Sequence, residues 1–235
     1  MKRLNKAMLA SIVLAGSLFG EVDKNLIDKI EKLPVFDRLG AKVTDVIDLE
    51  DLYAVKAEKD GKLQTVFVSK QLKHLIVGNA IDTHTTEQVK VPVDISSLDE
   101  VVAFTYGNGD KEFYLFTDPE CPYCNQLDEY LPKLNKDDVK IKMIFYPLPN
   151  HKNAKSMSLH VLKQENNESK EKTYFELEKK KYPTKNASDE SKKLLDNGIT
   201  LGNKIGIRGT PTFVNSKGEM LNWVEFLQMH NVEVK

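Results

Sequence analysis

The chain has 235 residues, 34 of them basic and 35 acidic, and a formal net charge of −1. A nearly neutral chain gives no electrostatic case for nucleic-acid binding, which needs an excess of Lys and Arg on one surface. The length allows one large domain or two small ones, and either can bury a proper core.

Residues 1–20 have the layout of a secretory signal peptide. Three basic residues precede an uncharged apolar run that continues to Gly20, and this run is shorter than the roughly 20 residues that a membrane-spanning helix needs. Cleavage is expected after Ser17 or after Gly20, and the sequence leaves both open; an uncleaved anchor is the lesser alternative. Cleavage would bring the net charge to −4, because three basic and no acidic residues would be lost.

Residues 21–83 are predicted to form a small α+β domain. Apolar residues at helical spacing indicate a helix over 23–32, which Pro34 closes because proline cannot continue a helix. Strands are predicted over 42–49, 52–58, 63–68 and 74–80. The pair Asp60-Gly61 between the second and third strands is a strong signal for a two-residue hairpin turn. A domain of this size is marginal by itself, so we expect it to pair with a second copy.

Residues 84–110 are predicted to be a linker. The polar, Thr-rich stretch 83–90 interrupts the strand pattern and indicates a domain boundary. Ser97 and Glu100 have the S-x-x-E spacing of a capping box, so one short helix is expected to begin there. The second domain is then predicted over 111–235.

Both cysteines of the chain lie in this second domain, as Cys121-Pro122-Tyr123-Cys124. The apolar stretch 111–116 before them predicts a buried strand, and apolar residues at helical spacing after them predict a helix. Cys121 is therefore expected in the first helical turn, where unpaired N–H groups and the helix dipole lower the pKa of a thiol below its usual value of about 8.5. Cys124 is expected to face inward, as the less acidic thiol that closes a short disulfide with Cys121.

Three acidic residues near the cysteines act in the opposite direction, because negative charge raises the pKa of a thiol. They are Asp118, Glu120 and Asp128. We expect the helix terminus to outweigh them at Cys121.

A lone C-x-x-C motif also occurs in zinc and haem sites. A zinc site needs two more cysteines or histidines at ligand spacing, and the five histidines form no H-x3-5-H pair. Haem attachment needs a histidine directly after the second cysteine, where this chain has Asn125. We therefore expect no metal and no cofactor. In an exported chain that holds no further cysteine, the pair is assigned to redox chemistry.

The rest of the second domain alternates strands and helices. A strand is predicted over 139–145, a charged and mostly helical insertion over 150–206, two short strands after Pro211, and a helix over 223–230. With the C-x-x-C motif, the segment Gly209-Thr210-Pro211 resembles the thioredoxin superfamily. In that superfamily a cis-proline before a late strand packs against the cysteines, and the neighbouring backbone pairs with the substrate.

The chain as a whole resembles the DsbC/DsbG family of periplasmic disulfide isomerases. The resemblance rests on F-T-D-P-E-C-P-Y-C over 116–124, on the G-T-P motif, and on 67–82, which is similar to the last strands of that family's dimerisation domain. It implies an α+β protein with a thioredoxin fold and a helical insertion, preceded by a small cystatin-like dimerisation domain. The C-P-Y-C motif is closer to the DsbG-like branch. Two features depart from the family: the linker helix is short, and the structural disulfide of DsbC-like members is absent.

The resemblance also implies roles for individual residues. The implied site consists of the attacking Cys121, the resolving Cys124, the substrate-binding Pro122 and Tyr123, Thr210, and the cis-proline Pro211. Thioredoxin-like proteins often carry a buried acid six residues before the first cysteine, where it assists proton transfer to the second thiol. This chain has Leu115 at that position.

The function that the resemblance implies is thiol–disulfide interchange in the periplasm. The protein would reduce or isomerise wrongly paired disulfides in exported proteins, with additional chaperone activity. Its partners would be unfolded or misoxidised exported proteins, a DsbD-like membrane thiol reductase and a second copy of the chain, with no nucleic acid. Two alternatives stay open: a dithiol oxidase that donates its disulfide, and a non-enzymatic holdase.

Overall fold

The computed structural model describes residues 24–178, 180–184 and 187–234. The predicted signal peptide lies outside the described residues. Within these ranges, no helix combines the length and the apolar character needed to cross a membrane.

The first unit consists of two helices and an antiparallel sheet of four strands. Its elements are α1 (Lys24–Glu31), α2 (Pro34–Leu39), β1 (Lys42–Leu49), β2 (Leu52–Lys59), β3 (Lys62–Ser69) and β4 (Leu75–Ile76), with the strands in the order β1-β2-β3-β4. The predicted hairpin is confirmed: Lys59 pairs with Lys62. Asp60 and Gly61 both have positive φ, at 52° and 72°, as a tight turn matched to the strand twist requires.

The predicted first helix is confirmed within a residue, since α1 covers Lys24–Glu31 and ends before Pro34. The sequence analysis missed α2, which begins at Pro34, because the first helical position needs no backbone N–H and suits the fixed φ of proline. The prediction for the fourth strand was wrong in length. The fourth strand is two residues long instead of seven, with Leu75 and Ile76 paired to β3. Gly78 and Asn79 follow one residue later, and both residue types are poor strand formers.

The second unit is built on a sheet of five strands with helices on both faces. The strands are β5 (Phe104–Tyr106), β6 (Lys111–Thr117), β7 (Val139–Phe145), β8 (Thr212–Asn215) and β9 (Met220–Asn222), and the helices are α3 (Pro122–Asp128), α4 (Ala154–Leu162), α5 (Asn167–Phe175), α6 (Asp189–Ile205) and α7 (Trp223–Met229). The strand order is β5-β7-β6-β8-β9. Only the β6–β7 pair is parallel. The predicted mixed α+β fold, with a helical insertion between β7 and β8, is confirmed.

The central strand β6 separates two hydrophobic cores. Phe113 and Leu115 point into the core that contains α3 and α7, whereas Tyr114 and Phe116 point into the core beside the end of α6. This alternation follows from the two-residue period of a strand. Leu115 is fully buried, so the position where relatives often carry an acid is here part of the apolar core.

The segment predicted as a linker contains part of the second sheet. Phe104–Tyr106 pairs antiparallel with β7, and the Phe104 and Tyr106 side chains are 2% exposed. The expected helix is a short 3-10 helix, Leu98–Val101, and Ser97 makes no side-chain cap. The capping-box prediction was therefore wrong, because four residues in 3-10 geometry do not present the N–H groups that a box would bind.

The two units contact each other beside the G-T-P segment. Gly206 ends α6 with a φ of 88°, and a Cβ built there would lie 3.0 Å from the Leu63 carbonyl oxygen of β3. In the segment between the two units, Val93 N–H donates to the Gly218 carbonyl at 2.8 Å, and Lys90 pairs with Glu225. The first sheet therefore lies close to Gly206, and the segment that follows this sheet contacts the second unit after the G-T-P segment.

Candidate active site

The two cysteines lie where β6 passes into α3. Cys121 is the N-cap residue of α3, with extended backbone (φ −70°, ψ 125°), and Pro122 occupies the first helical position. The prediction had placed Cys121 inside the first turn, one position further on. Asn125 N–H donates to the Cys121 carbonyl at 3.1 Å and closes that turn. Cys124, one turn later, is fully buried.

The G-T-P segment lies directly against Cys121. The Thr210–Pro211 peptide bond is cis. The Cys121 sulfur lies 3.3 Å from the Thr210 carbonyl oxygen, to which the thiol donates when it is protonated. Residues 89 positions apart therefore meet in one site. Pro122 and Tyr123 are exposed on the outer side of α3, with Tyr123 at 61%. Of the predicted site residues, the structure thus groups the cysteines with Thr210 and Pro211 and places the other two on the adjoining surface.

Cys121 is strongly acidic for a thiol. Its pKa is lowered to about 5, mainly because the Cys124 side chain hydrogen-bonds the thiolate; burial acts in the opposite direction. The Thr210 side chain and the backbone N–H groups of Cys124 and Tyr123 add to the lowering. The predicted direction is confirmed, but the largest cause is the second thiol and not the helix terminus.

The pKa of Cys124 is shifted in the opposite direction. Burial raises its pKa well above the ordinary range of a thiol, and the hydrogen bond and charge of Cys121 raise it further. The Thr117 side chain and the Asp118 N–H, which donates to the sulfur at 3.4 Å, act against this rise. One thiol is therefore ionised near neutral pH and its neighbour is protonated.

Two of the three nearby carboxylates point away from the thiols and hold the loop in place. Asp118 accepts hydrogen bonds from Leu148 N–H and His151 Nδ1, both at 2.7 Å. Glu120 accepts from the N–H groups of Asn153 at 2.6 Å and Ala154 at 2.9 Å. The loop before Cys121 is thereby fastened to the start of the helical insertion, a role that sequence reasoning did not find.

The third carboxylate, Asp128, is half-buried and lies at the end of a chain of two buried hydroxyl groups. Tyr174 of α5 donates to Asp128 Oδ1 at 3.2 Å, and the Tyr174 hydroxyl lies 2.9 Å from Thr117 Oγ1. Burial raises the pKa of Asp128 to about 7. The sequence offered one signal for this contact, because Asp128 stands four residues after Cys124 and so shares its helix face.

The described residues contain no cluster of three or more Cys, His, Asp or Glu side chains arranged to hold a metal ion. A low-pKa thiol beside a buried thiol, at a strand-to-helix junction, defines a thioredoxin-fold thiol–disulfide oxidoreductase.

Comparison with known proteins gives the family. Residues 98–225 match the family model described as a thioredoxin-like domain. This match covers more than half of the chain, and the chain belongs to the thioredoxin-like domain family. No curated protein matches the sequence.

Several solved structures are similar to part of this chain. ScsC of Proteus mirabilis in a compact conformation is 21% identical, with 60% of this chain and 80% of that chain covered and a TM-score of 0.41. A disulfide interchange protein from Neisseria gonorrhoeae is 24% identical, covering 55% and 93% with a TM-score of 0.40. DsbA2 of Pseudomonas aeruginosa is 17% identical, covering 54% and 91% with a TM-score of 0.44.

Proposed function

We propose that this protein reduces or isomerises wrongly paired disulfides in exported proteins, with Cys121 as the attacking thiol and Cys124 as the resolving thiol. The observation that carries the proposal is that the pKa values of the two thiols are shifted in opposite directions. The pKa of Cys121 is lowered to about 5, whereas the pKa of Cys124 is raised well above its ordinary value. Because only a thiolate attacks a disulfide, the two cysteines differ in role before any substrate binds.

The reaction proceeds by thiol–disulfide exchange. The Cys121 thiolate attacks one sulfur of the substrate disulfide, forms a mixed disulfide, and releases the other substrate sulfur as a thiolate. In isomerisation, that thiolate attacks a different disulfide of the substrate, and a later exchange frees Cys121. In reduction, Cys124 loses its proton and attacks the Cys121 sulfur, which releases the substrate thiolate and leaves Cys121 and Cys124 joined as a disulfide.

The G-T-P segment is the proposed binding edge for the substrate. The Thr210 carbonyl lies 3.3 Å from the Cys121 sulfur, so a peptide carrying the target disulfide can pair with this backbone while its sulfur faces Cys121. Tyr123, exposed on the other side of Cys121, offers an aromatic surface for the same peptide. Pro122 completes this surface.

Location and partners follow from the predicted signal peptide and the family resemblance. We place the mature protein in the periplasm, where disulfides form and shuffle. A DsbD-like membrane reductase would return the Cys121–Cys124 disulfide to the dithiol. Binding of unfolded chains between two protomers would give the chaperone activity.

A dithiol oxidase is the second candidate, and one observation favours it. A pKa of about 5 at Cys121 stabilises the reduced form, because the thiolate is the species that the site holds best. A protein whose reduced form is stabilised gives its disulfide away readily. The cellular redox state separates the two candidates: an isomerase is held mainly as the dithiol and an oxidase mainly as the disulfide. Alkylation of free thiols in acid-quenched cell extract measures this state directly.

Cysteine variants test the role of each thiol. Cys124→Ala should accumulate mixed disulfides with exported proteins, because the attacking thiol remains and the intramolecular route of release is lost. Cys121→Ala should accumulate none and is the matched control. Mixed disulfides are counted on non-reducing gels after thiol blocking, and equal trapping by the two variants would show that the assignment of roles is wrong.

A further inference from the structure

We propose that Thr117, Tyr174 and Asp128 form a proton relay that takes the proton from Cys124 when it resolves a mixed disulfide. The inference rests on the proposed function, because the relay has a task only if Cys124 acts as a nucleophile. It assigns the proton-accepting role to a carboxyl group on α3, whereas the position six residues before Cys121 holds Leu115.

The relay is needed because the Cys124 thiol, which must lose a proton, is buried. Cys124 is fully buried, so its thiol has no direct contact with water that could take its proton. The Leu115 side chain is also fully buried and carries no group that accepts a proton. A thiol in such surroundings ionises only if a neighbouring group accepts the proton as it leaves.

The structure places a chain of polar groups between Cys124 and a carboxylate. The Thr117 side chain is near enough to the Cys124 sulfur to lower its pKa, and Asp118, the next residue along the chain, has its N–H 3.4 Å from that sulfur. Thr117 Oγ1 lies 2.9 Å from the Tyr174 hydroxyl. Tyr174 in turn donates to Asp128 Oδ1 at 3.2 Å. Thr117 is fully buried and Tyr174 is 4% exposed, so bulk water does not interrupt the path.

Three protons move in one concerted step. The Cys124 S–H proton passes to Thr117 Oγ1, the Thr117 hydroxyl proton to the Tyr174 oxygen, and the Tyr174 hydroxyl proton to the Asp128 carboxylate. The result is a Cys124 thiolate and a neutral Asp128, with both hydroxyl groups intact. The thiolate then attacks the Cys121 sulfur, and the electron pair of the broken S–S bond leaves with the substrate thiolate. Reduction of the enzyme runs the same shift backwards and returns the proton to Cys124.

Asp128 also has a route to solvent. A cavity of about 210 Å³ lies against Asp128 and Tyr174, and its wall includes the exposed Glu129. A proton held on Asp128 can leave through this cavity between turnovers. The pKa of Asp128, raised to about 7 by burial with a smaller contribution from the Cys121 charge, lets the group accept and release a proton near neutral pH. In the mixed disulfide Cys121 is uncharged, so burial alone keeps the pKa of Asp128 raised.

The test separates attack from resolution in one stopped-flow experiment. Reduced full-length mature protein is mixed with saturating 5,5′-dithiobis(2-nitrobenzoate), a symmetric disulfide that releases a coloured thiolate. The first release reports attack by Cys121, and the second, which is unimolecular, reports resolution by Cys124. The variants are Asp128→Asn and Tyr174→Phe, with Glu168→Gln as the control that removes an exposed charge from α5, the helix that carries Tyr174.

The relay predicts that both variants slow the second release by about 10²-fold at pH 7.5, the lower range of general-base contributions. The first release should change little, which shows in the same trace that the active site is folded. In the wild type the rate of the second release should rise with pH up to about 7, because Asp128 becomes a carboxylate. This rise with pH should be absent in Asp128→Asn. Asp128→Glu should restore part of the rate, and Glu168→Gln should behave as the wild type.

If the second release in Tyr174→Phe is as fast as in the wild type, the relay is wrong, even if Asp128→Asn is slow. Asp128 would then act without Tyr174 and could not receive the proton through it. Unchanged pH profiles in both variants overturn it as well. A wild-type protein that shows the first release but no second one overturns the proposed function, and the relay with it.

Discussion

The Thr210 side chain contributes to the acidity of Cys121, after the larger contribution of the Cys124 side chain. Thr210 Oγ1 is buried and has no hydrogen-bond partner among the described residues, so its O–H is free to turn toward the Cys121 thiolate. Thr210→Val removes this donor and keeps the shape of the side chain. A hydrogen bond to a charged group contributes about 1.5–3 kcal/mol, so the pKa of Cys121 should rise by about one unit or more.

The pKa is measured from the absorbance of the thiolate as a function of pH. Thr212→Val is the matched control, since the Thr212 hydroxyl donates to the Gly209 carbonyl at 2.8 Å and is not among the groups that lower the pKa of Cys121. An unchanged pKa in Thr210→Val would show that the hydroxyl plays no part in stabilising the thiolate.

The same acidity predicts the redox potential of the cysteine pair. With the pKa of Cys121 at about 5 and Leu115 in the place of a buried acid, the reduced form is favoured. The potential should then lie at about −120 to −180 mV, more oxidising than the roughly −270 mV of thioredoxin. Equilibration against glutathione measures it, and a thioredoxin-like value would contradict the expected stabilisation of the thiolate.

Asp128 should make the reduced protein less stable at neutral and alkaline pH. Its folded-state pKa of about 7 lies above the ordinary value of 3.8, so the unfolded chain gives up the proton first as the pH rises. Stability should therefore fall between about pH 4 and pH 7, and Asp128→Asn should recover about 1–3 kcal/mol at pH 8 and almost nothing at pH 3. Urea titrations at the two pH values measure the difference, and an equal effect at both would contradict the raised pKa.

At the scale of elements, local signals in the sequence were sufficient for most strands and helices. The Asp60-Gly61 turn predicted the bounds of the hairpin strands within a residue or two. The pattern of apolar residues did the same for β6 and β7. The predictions failed where a contact distant in sequence decides the structure. β5 forms because Phe104 and Tyr106 bury against β7. The path from Asp128 to Thr117 depends on Tyr174, which is 46 and 57 positions away, and no local pattern encodes such a meeting.

The packing of α6 on the sheet depends on a glycine. A Cβ at Gly202 would lie 2.6 Å from the Tyr146 ring, and that ring is held in place by hydrogen bonds to Asn203 Oδ1 at 2.7 Å and the Ile207 carbonyl at 3.1 Å. Gly202→Ala should therefore destabilise the protein by about 1–2 kcal/mol, since the cost of overpacking exceeds the gain in helix propensity of about 1 kcal/mol. Thermal unfolding measures the change.

The exposed position Asn197 on α6 provides the control for helix propensity. Asn197→Ala should leave the stability unchanged or raise it slightly, because nothing packs on that side of the helix. If Gly202→Ala were as stable as Asn197→Ala, the close approach of α6 to Tyr146 would not limit the fold.

At the scale of the molecule, the boundary between the two units bears on how a fragment should be designed. We propose the N-terminal unit at 21–83, as the sequence indicated, and a start of the catalytic domain before β5 instead of at residue 111. A fragment that begins at Asp110 would lose β5 and expose the edge of β7, so its behaviour would not report on dimerisation. The family match, which begins at residue 98, agrees with the earlier start.

Dimerisation is therefore better tested by a substitution in the complete mature chain. The short edge strand β4 and the residues after it carry three exposed apolar side chains, Ile76 at 46%, Val77 at 75% and Ile81 at 63%. An open sheet edge with apolar side chains is covered most simply by the same edge of a second copy related by a two-fold axis. Val77→Asp places a charge in that contact while the monomer, which leaves Val77 in solvent, should still fold. Gln64→Asp, at an exposed position on β3, is the control.

Sedimentation velocity at micromolar concentration should show a dimer for the wild type and Gln64→Asp, and a monomer for Val77→Asp. The monomeric variant should still reduce a small disulfide, because Cys121 and its partners lie within one chain. It should lose most of its ability to reshuffle a scrambled protein with several disulfides, since a client released from one active site no longer stays near another. A wild-type monomer would contradict the pairing and favour the oxidase, which needs only one active site.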